Sequence, residues 1–418
     1  MASEKRNPLT VMKFGGTSLA TSERIGEVAR RVVAKRAAGN DVIVVVSAMG
    51  NTTDDLFRLA RTISPSPPKR EIDMLLTAGE RISMALLSMA INELGFDSIS
   101  FTGSQSGIVT DTSHTRARIL DVRAFRVKDE LEKGRIVIVA GFQGVSPAKE
   151  VTTLGRGGSD TTCVALASAF NADACEIYTD VDGVYTADPN TVARARKLGG
   201  ISYDEMLEMA ICGARVLHAR SVEVARRFGV RVHVRSTFKK EMGTIVTSNA
   251  EVEKADIRGI AHDLDAVLIS FRDVDASEGI TAKVLEALEG SDVNLRLVYA
   301  YPGADGTENL SFLVSGEDGE SAVTALGENV TDIGFEVDES IAAVSVIGYG
   351  ICSAPGVTRR ILGSLRELGI SPKAVSTSGI TLTIIMDGER ATEAINKLHA
   401  DLGLGESIRS EERQSGRA

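Results

Sequence analysis

Two glycine-rich segments of this sequence gather the groups best suited to holding negative charge. In Lys13-Phe-Gly-Gly-Thr-Ser18 a lysine stands near the end of an apolar run, with two adjacent glycines close behind it. Glycines let the backbone approach a phosphate closely, and the amides that open a helix, with a lysine beside them, supply a positive field. The spacing is neither the Gly-x-x-x-x-Gly-Lys of a P-loop nor the Gly-x-Gly-x-x-Gly of a dinucleotide fold. A Gly-Gly pair alone is usually a bend; the lysine at the end of the first strand is what favours phosphate binding. The second segment, Leu154-Gly-Arg-Gly-Gly-Ser-Asp160, leads into a helical stretch, Thr161 to Phe170. Successive glycine amides can form an anion nest and Arg156 can grip a carboxylate with its planar fork. An ordinary helix cap would account for Ser159 or Asp160 but not for an arginine set between glycines.

A third segment, Tyr178-Thr-Asp-Val-Asp-Gly-Val-Tyr-Thr-Ala-Asp-Pro189, has the look of a calcium loop but fails the test of spacing. Its glycine falls at the fourth rather than the sixth position, and Thr191 stands where the bidentate glutamate belongs. Asp182-Gly183 as a plain turn and the whole loop as a nucleotide wall beyond a strand end both remain open. Cys163, Cys175, Cys212 and Cys352 form no Cys-x-x-Cys pair and read as buried thiols. His114, His218, His233, His262 and His399 make no catalytic or metal-binding constellation, and His218 reads as a structural, hydrogen-bonded histidine. No metal is assigned to protein side chains.

The elements that must position these groups follow a βα rhythm over roughly the first 240 residues, the pattern of a parallel sheet between layers of helix. Strands are expected at Leu9 to Phe14, Val42 to Val46, Ile136 to Ala140, Glu176 to Tyr178 and Val230 to Val234. Ile25, Val28, Ala29, Val32 and Val33 recur at helical spacing, with Thr21 or Ser22 as N-cap and Gly39 as the stop. Ser64-Pro-Ser-Pro-Pro68 can be neither helix nor central strand and reads as an exposed loop. Between Glu241 and Asp256 the alternation pauses, and the main domain boundary is placed there.

Beyond it the sequence repeats. Gly279-Ile-Thr-Ala-Lys-Val-Leu-Glu-Ala-Leu matches Gly356-Val-Thr-Arg-Arg-Ile-Leu-Gly-Ser-Leu at an offset of 356 − 279 = 77 residues, and strands Ala266 to Phe271 and Ala343 to Gly348 keep that offset. Strands at Asn294 to Val298 and Leu310 to Val314, then at Lys373 to Val375 and Ile380 to Met386, with a closing helix each time, give two small α+β sandwiches. These βαββαβ modules resemble ACT domains, which pair edge to edge and bind small amino acids.

A chain of 418 residues leaves room for two to four domains, and 47 basic against 57 acidic residues argues against a general nucleic-acid or anionic-membrane binder. The polar start, Met1 to Pro8, and apolar runs of strand length suggest no membrane segment and a cytoplasmic protein.

From Met12 to about Val234 the chain resembles the aspartokinase branch of the amino-acid kinase family. The likeness rests on Lys13-Phe-Gly-Gly-Thr-Ser18, Ser47-Ala-Met-Gly-Asn-Thr-Thr53, Thr77-Ala-Gly-Glu-Arg81, Thr153-Leu-Gly-Arg-Gly-Gly-Ser-Asp160 and the Tyr178 to Pro189 segment, in the family's order. The resemblance implies an α/β fold: an αβα sandwich with a mostly parallel sheet over 1–245, followed by ACT-like domains over 260–338 and 339–410. It implies that Lys13, Phe14, Gly15 and Gly16 cradle the phosphates of ATP, with Ser159 and Asp160 ordering the Lys13 side. Thr179, Asp180, Tyr185, Asp188 and Pro189 would contact the nucleotide. Ser47, Thr52, Thr53, Glu80, Arg156, Gly157, Gly158 and Ser159 would hold L-aspartate, with Lys13, Arg156 and Asp160 as the catalytic set. Where the family commonly has Gly-x-Lys-Val-Leu-His, this chain reads Gly213-Ala-Arg-Val-Leu-His218, putting Arg215 at a nucleotide contact usually made by an ammonium.

The implied reaction is transfer of the γ-phosphoryl group of ATP to the aspartate side chain, with Mg²⁺ held mainly by ATP phosphates, as the opening step toward lysine, threonine and methionine. Competing readings are an inert kinase fold that senses an amino acid, and a kinase for another acidic amino acid. A dehydrogenase is remote without Gly-x-Gly-x-x-Gly. A homo-oligomer assembled through the ACT-like modules is expected. Family members commonly carry Asp-x-Pro-Gly and Asn-Ile-Asp in the first module, where this chain has Asp275-Ala-Ser-Glu-Gly279 and Asn294-Leu-Arg296; in the second module Ser371-Pro-Lys-Ala-Val-Ser-Thr-Ser-Gly379 also loses acidic groups. The expectation is that lysine and threonine inhibit weakly or not at all, as suits a paralogue serving a dedicated pathway.

Overall fold

Asp41–Val46 and Ile136–Ala140 are runs of Val and Ile with almost no polar interruption, and such strands are stable only where both sheet faces are covered. The computed structural model, which describes residues 7–248, 256–289, 291, 293–351 and 354–405, puts them in the middle of an eight-stranded sheet. Its order is Gly200–Ser202, Thr244–Thr247, Val232–Ser236, Ala174–Thr179, Leu9–Phe14, Asp41–Val46, Ile136–Ala140 and Ser98–Phe101. Every pairing is parallel except that of Val232–Ser236 with Thr244–Thr247. Helix Ser22–Ala37 starts at Thr21, whose hydroxyl accepts from the Arg24 amide, and lays Ile25, Val28, Ala29 and Val32 on the sheet. The strand expected at Val230 begins two residues later. Gly229, at φ 66°, and the Val230 amide, bonded to the Ala225 carbonyl, are both used to close helix Ala219–Phe228.

The prolines of Ser64 to Pro68 separate helix Thr52–Ile63 from helix Lys69–Glu93. The latter is long and apolar enough by composition to cross a membrane, although Gly79-Glu80-Arg81 interrupts its apolar run. Its buried face, however, carries Asp73, Thr77, Glu80 and Ser83 as well as Ile72, Leu76, Leu87 and Ile91; the Asp73 and Glu80 carboxylates are met by the Thr153 hydroxyl and the Ala48 amide, and the Thr77 and Ser83 hydroxyls bond back to carbonyls of the helix. A second, small sheet, Ile119–Val122, Ile108–Thr110, Gln143–Val145 and Val151–Thr153, stands beside that helix.

Contacts divide the chain into two compact units that do not follow the sequence simply. The first holds 7–184, 197–207 and 215–248; the second holds 185–196, 208–214 and the described residues from 256 onward. Part of the stretch in which the domain boundary was placed, 249–255, lies outside the described residues, as does Cys352.

In the second unit two antiparallel four-stranded sheets repeat one plan. Leu297–Pro302, Thr307–Val314, Val267–Asp275 and Glu336–Asp338 form one; Asp256–Asp263, Ile341–Tyr349, Thr381–Asp387 and Ala374–Thr377 form the other. Each is backed by two helices, Ile280–Glu289 with Gly316–Asn329, and Pro355–Glu367 with Ala391–Asp401. The second module takes its edge strand from Asp256–Asp263, ahead of the whole first module. The Ala187 and Val192 side chains share a core with Val344, Leu382 and Ile395.

Candidate active site

The parallel strands all point their carboxyl ends at one edge of the large sheet, and in open α/β sheets ligands bind beyond that edge. Six loops of the first unit leave it: those after Phe14, Val46, Phe101, Ala140, Thr179 and Ser236. Lys13 is the penultimate residue of its strand, and its ammonium lies 2.6 Å from an Asp160 carboxylate oxygen, both side chains about nine-tenths covered. Phe14 turns its ring into the core, stacked on Tyr178 at 4.8 Å, which leaves only its main chain to the loop. Gly15 donates its amide to the Tyr178 carbonyl. A β-carbon on Gly16 would stand 2.9 Å from the carbonyl oxygens of Ala48 and Gly50, so the loops after Phe14 and Val46 can touch only because residue 16 has no side chain.

Glu80 comes into the same region from helix Lys69–Glu93. It is 3% exposed, one carboxylate oxygen accepts the Ala48 amide at 3.1 Å, and the other has no partner among the described residues. Burial pushes its carboxyl up to about 7, opposed by the backbone hydrogen bonds it receives. Such an oxygen is poised for a cationic donor. Nearby on the helix, a β-carbon on Gly79 would meet the Ala48 side chain at 2.7 Å and Thr52 at 3.6 Å, so this helix face fits closely against the Ser47 to Thr53 segment. The Thr52 hydroxyl is spent on the Met49 carbonyl; Ser47 donates its amide to Phe14.

The Leu154 to Asp160 segment forms a loop and the first turn of helix Gly158–Ala169. Gly157 has φ 67°, and a β-carbon there would fall 2.1 Å from the His218 ring, so both conformation and space demand glycine. His218 opens helix Ala219–Phe228: its carbonyl accepts the Ser221 hydroxyl and its ring nitrogen accepts the Arg220 amide. Burial, first among several influences, lowers its pKa, in keeping with a structural histidine. Ser159 is buried over Gly141, and Arg156 is exposed beside this turn.

On the nucleotide side, Thr179 bonds to Asp180 at the end of its strand. Tyr185, Asp188 and Pro189 fall in the second unit, where Asp188 receives the amides of Asn190, Thr191 and Val192. Arg215 is exposed in the loop before His218. Sequence reasoning missed Lys239, whose ammonium lies 3.1 Å from buried Asp182, with Lys197 at 3.7 Å, and the hydroxyl pair Ser18 and Thr237 at 2.6 Å. Lys239 follows the strand Val232–Ser236 and could have been found by asking which cations trail each parallel strand. Among the described residues no three His, Cys, Asp or Glu side chains gather as a metal cage. Cys163 and Cys175 are free and buried with sulfurs 3.7 Å apart.

The family model for the amino acid kinase family matches residues 8–236, and one for an ACT domain matches 344–402. The aspartokinase of Mycolicibacterium smegmatis is 49% identical over 406 residues, covering 95% of this chain and 96% of its own. That of Corynebacterium glutamicum is 46% identical over 408 residues, with the same coverage. Among solved structures, E. coli aspartokinase III in complex with aspartate and ADP aligns over 94% of this chain and 99% of its own, with a TM-score of 0.78 and 25% identity. Identity near one half, sustained through both the kinase fold and the paired ACT-like modules, means that this chain belongs to the aspartokinase branch of the amino-acid kinase family.

Proposed function

We propose that the chain transfers the γ-phosphoryl group of ATP to the side-chain carboxylate of L-aspartate, giving 4-phospho-L-aspartate and ADP. The observation that carries this reading is the buried Glu80, with one oxygen on the Ala48 amide and the other unpartnered, in a first unit whose sheet edge also presents the Lys13 and Asp160 pair. An α-ammonium group is the natural partner for that oxygen, and Arg156, on its glycine loop, for an α-carboxylate. Ser47, Thr52, Thr53 and the main chain of Gly157, Gly158 and Ser159 complete the aspartate site in this reading.

The acceptor carboxylate, with a reference pKa near 3.9, is already ionised at neutral pH and needs no general base. The work left is to bring two anions into line and to absorb charge on the group in flight. Lys13, steered by Asp160, and the Gly16 amide do this at the phosphates, with Gly15 leaving room for their approach. Thr179, Asp180, Tyr185, Asp188, Pro189 and Arg215 are assigned to the nucleotide. Isolated carboxylates such as Asp180 fit a Mg²⁺ ion that arrives on ATP, held mainly by phosphate oxygens and water, where it would neutralise phosphate charge.

We assign 1–245 to the kinase domain and 260–338 and 339–410 to the ACT-like domains, the latter borrowing Asp256–Asp263 as edge strand, and read these modules as the means of homo-oligomer assembly. A reaction between ATP and a free amino acid supports reading the protein as cytoplasmic. The experiment is ADP release with ATP and Mg²⁺ and either L-aspartate, L-glutamate or N-acetylglutamate, with hydroxylamine to trap the acyl phosphate. Aspartyl hydroxamate formed with aspartate alone is the expected result; folded protein giving none at millimolar aspartate overturns the proposal.

A further inference from the structure

Asp73 is fully buried in helix Lys69–Glu93, meets hydroxyl, amide and imidazole groups rather than a lysine or arginine among the described residues, and has no place in the chemistry above. A buried carboxylate persists only where donors replace the water it has lost. Here they come from two segments. Thr153 donates its hydroxyl at 2.6 Å, Thr115 its amide at 3.0 Å, and the His114 ring lies 2.6 Å away through Nδ1.

These contacts converge on the strand that delivers Arg156. Thr153 is three residues ahead of it and ends the strand Val151–Thr153. The Thr153 carbonyl accepts the Ala117 amide at 2.8 Å, and Arg220 ties the Leu154 and Ala117 carbonyls together at 2.7 Å each. Asp73 therefore holds both this strand and the loop laid across it.

The same helix face continues toward the other end of the substrate. Asp73, Thr77 and Glu80 are spaced by four and three residues, which puts them in one row on an α-helix. The Thr77 carbonyl accepts from the Gln143 side chain, on the strand paired with Val151–Thr153, and Glu80 holds the Ala48 amide. Seven residues of helix span about 10 Å. One rigid element thus carries the proposed ammonium partner and the anchor of the segment bearing the proposed carboxylate partner.

We infer that Asp73 is a positioning residue for the aspartate site: through Thr153 it fixes where the Arg156 loop stands relative to Glu80. This rests on the assignment of Arg156 and Glu80 to aspartate. Thr179, Asp180, Tyr185, Asp188, Pro189 and Arg215 lie on other segments, and none of them is a hydrogen-bond partner of Asp73 among the described residues, so the effect should fall mainly on aspartate.

The test uses the full-length protein with ATP, Mg²⁺ and L-aspartate. Thr153→Val keeps the side-chain shape and removes only the hydroxyl. It should raise KM for aspartate about tenfold, as loss of a hydrogen bond to a charged group does, with kcat changed less than about threefold and KM for ATP unchanged. Thr153→Ser should restore the wild-type KM, and Asp73→Asn should raise it at least as far as Thr153→Val. A merely structural role would lower kcat and shift both KM values together, and that pattern overturns the inference. So does an unchanged aspartate KM in Thr153→Val when Arg156→Ala raises it. If Arg156→Ala itself leaves that KM alone, the assignment of Arg156 is at fault and the inference falls with it, which separates the two failures.

Discussion

Of the side chains assigned to aspartate, Glu80 and Ser159 are buried on helices, Ser47, Thr52 and Thr53 are half-buried and Arg156 alone is exposed; of those assigned to the nucleotide beyond the phosphates, Asp180, Asp188, Pro189 and Arg215 lie in loops and are all exposed. The contrast matches the two ligands. An amino acid offers three charged groups at fixed spacing, which a rigid scaffold can measure. A nucleotide offers phosphates that main-chain amides and one lysine can hold, and a base that needs only a surface to lie on. Selectivity should therefore reside in the aspartate side, and the nucleotide side should tolerate change.

The largest effect should come where the two sides meet. Lys13→Ala removes a charge aimed at the transferring phosphoryl group, and kcat should fall about 10²–10³-fold, the usual cost of losing one such contact. KM for aspartate should move far less. Steady-state kinetics decide this, and a variant with near wild-type kcat would mean that the phosphates lie elsewhere.

Glu80 sharpens the comparison through pH. Its carboxyl, raised to about 7 by burial, must be ionised to pair with an ammonium. KM for aspartate should fall as pH rises from 6 to 8, while KM for ATP stays flat. Glu80→Gln should raise KM for aspartate at least tenfold and abolish its pH slope. Stability runs the other way. The folded state keeps the proton up to about 7, while the unfolded chain loses it near 4.5, so Glu80 favours folding most at low pH and that contribution is lost as pH rises through 7. Without aspartate, Glu80→Gln should melt above wild type at pH 8 and close to it at pH 5. A wild-type aspartate KM that ignores pH would remove Glu80 from the site.

Arg215 tests the tolerant side. It is exposed, and Arg215→Ala should raise KM for ATP by no more than about threefold, in line with the small worth of exposed charge contacts. A change of a hundredfold would show that this loop closes on the nucleotide.

How far these features could be read in advance depended on whether their cause is local. The Lys13 to Ser18 loop, the glycines around Arg156 and the two repeated modules are set by neighbours in sequence, through turn chemistry and periodicity. The Asp256–Asp263 strand was not read, because Glu251 to Lys254 mask its start with charge and its partner, Ile341–Tyr349, is some 80 residues away. Nor did Tyr185 to Arg196 announce that Ala187 and Val192 fill the core of the second unit. Asp73 gave only the faint signal of an acid seven residues before Glu80. Its importance comes from Thr153 and His114, which the fold supplies.

The smallest effect is expected from lysine and threonine, and part of the sequence-based reason for it has changed. Arg296, where the family commonly has an acidic side chain, would set a cation near an effector's ammonium, but its guanidinium is paired with Asp263 and donates to the Ile211 carbonyl, so its charge is already balanced. Other features still count against an effector site. Asp275 spends a carboxylate oxygen on the Ser277 amide at 2.9 Å and hydroxyl at 2.6 Å, capping the turn before the helix rather than facing a ligand. Pro372 has no amide to offer, and the neighbouring Lys373 bridges Asp338 and Asp387 at 2.8 and 3.0 Å, so this turn presents a cation already neutralised by two acids. Allosteric effectors commonly shift affinity five-fold or more, so inhibition below about twofold at millimolar lysine, threonine or both would mark the modules as structural. Titration into the hydroxamate assay measures it. Strong inhibition at sub-millimolar concentration would show instead that an effector is held by groups other than Asp275 and the Pro372 to Lys373 turn. Asp275→Ala would then separate the cases, since loss of inhibition returns that carboxylate to an effector and unchanged inhibition moves the site away from it.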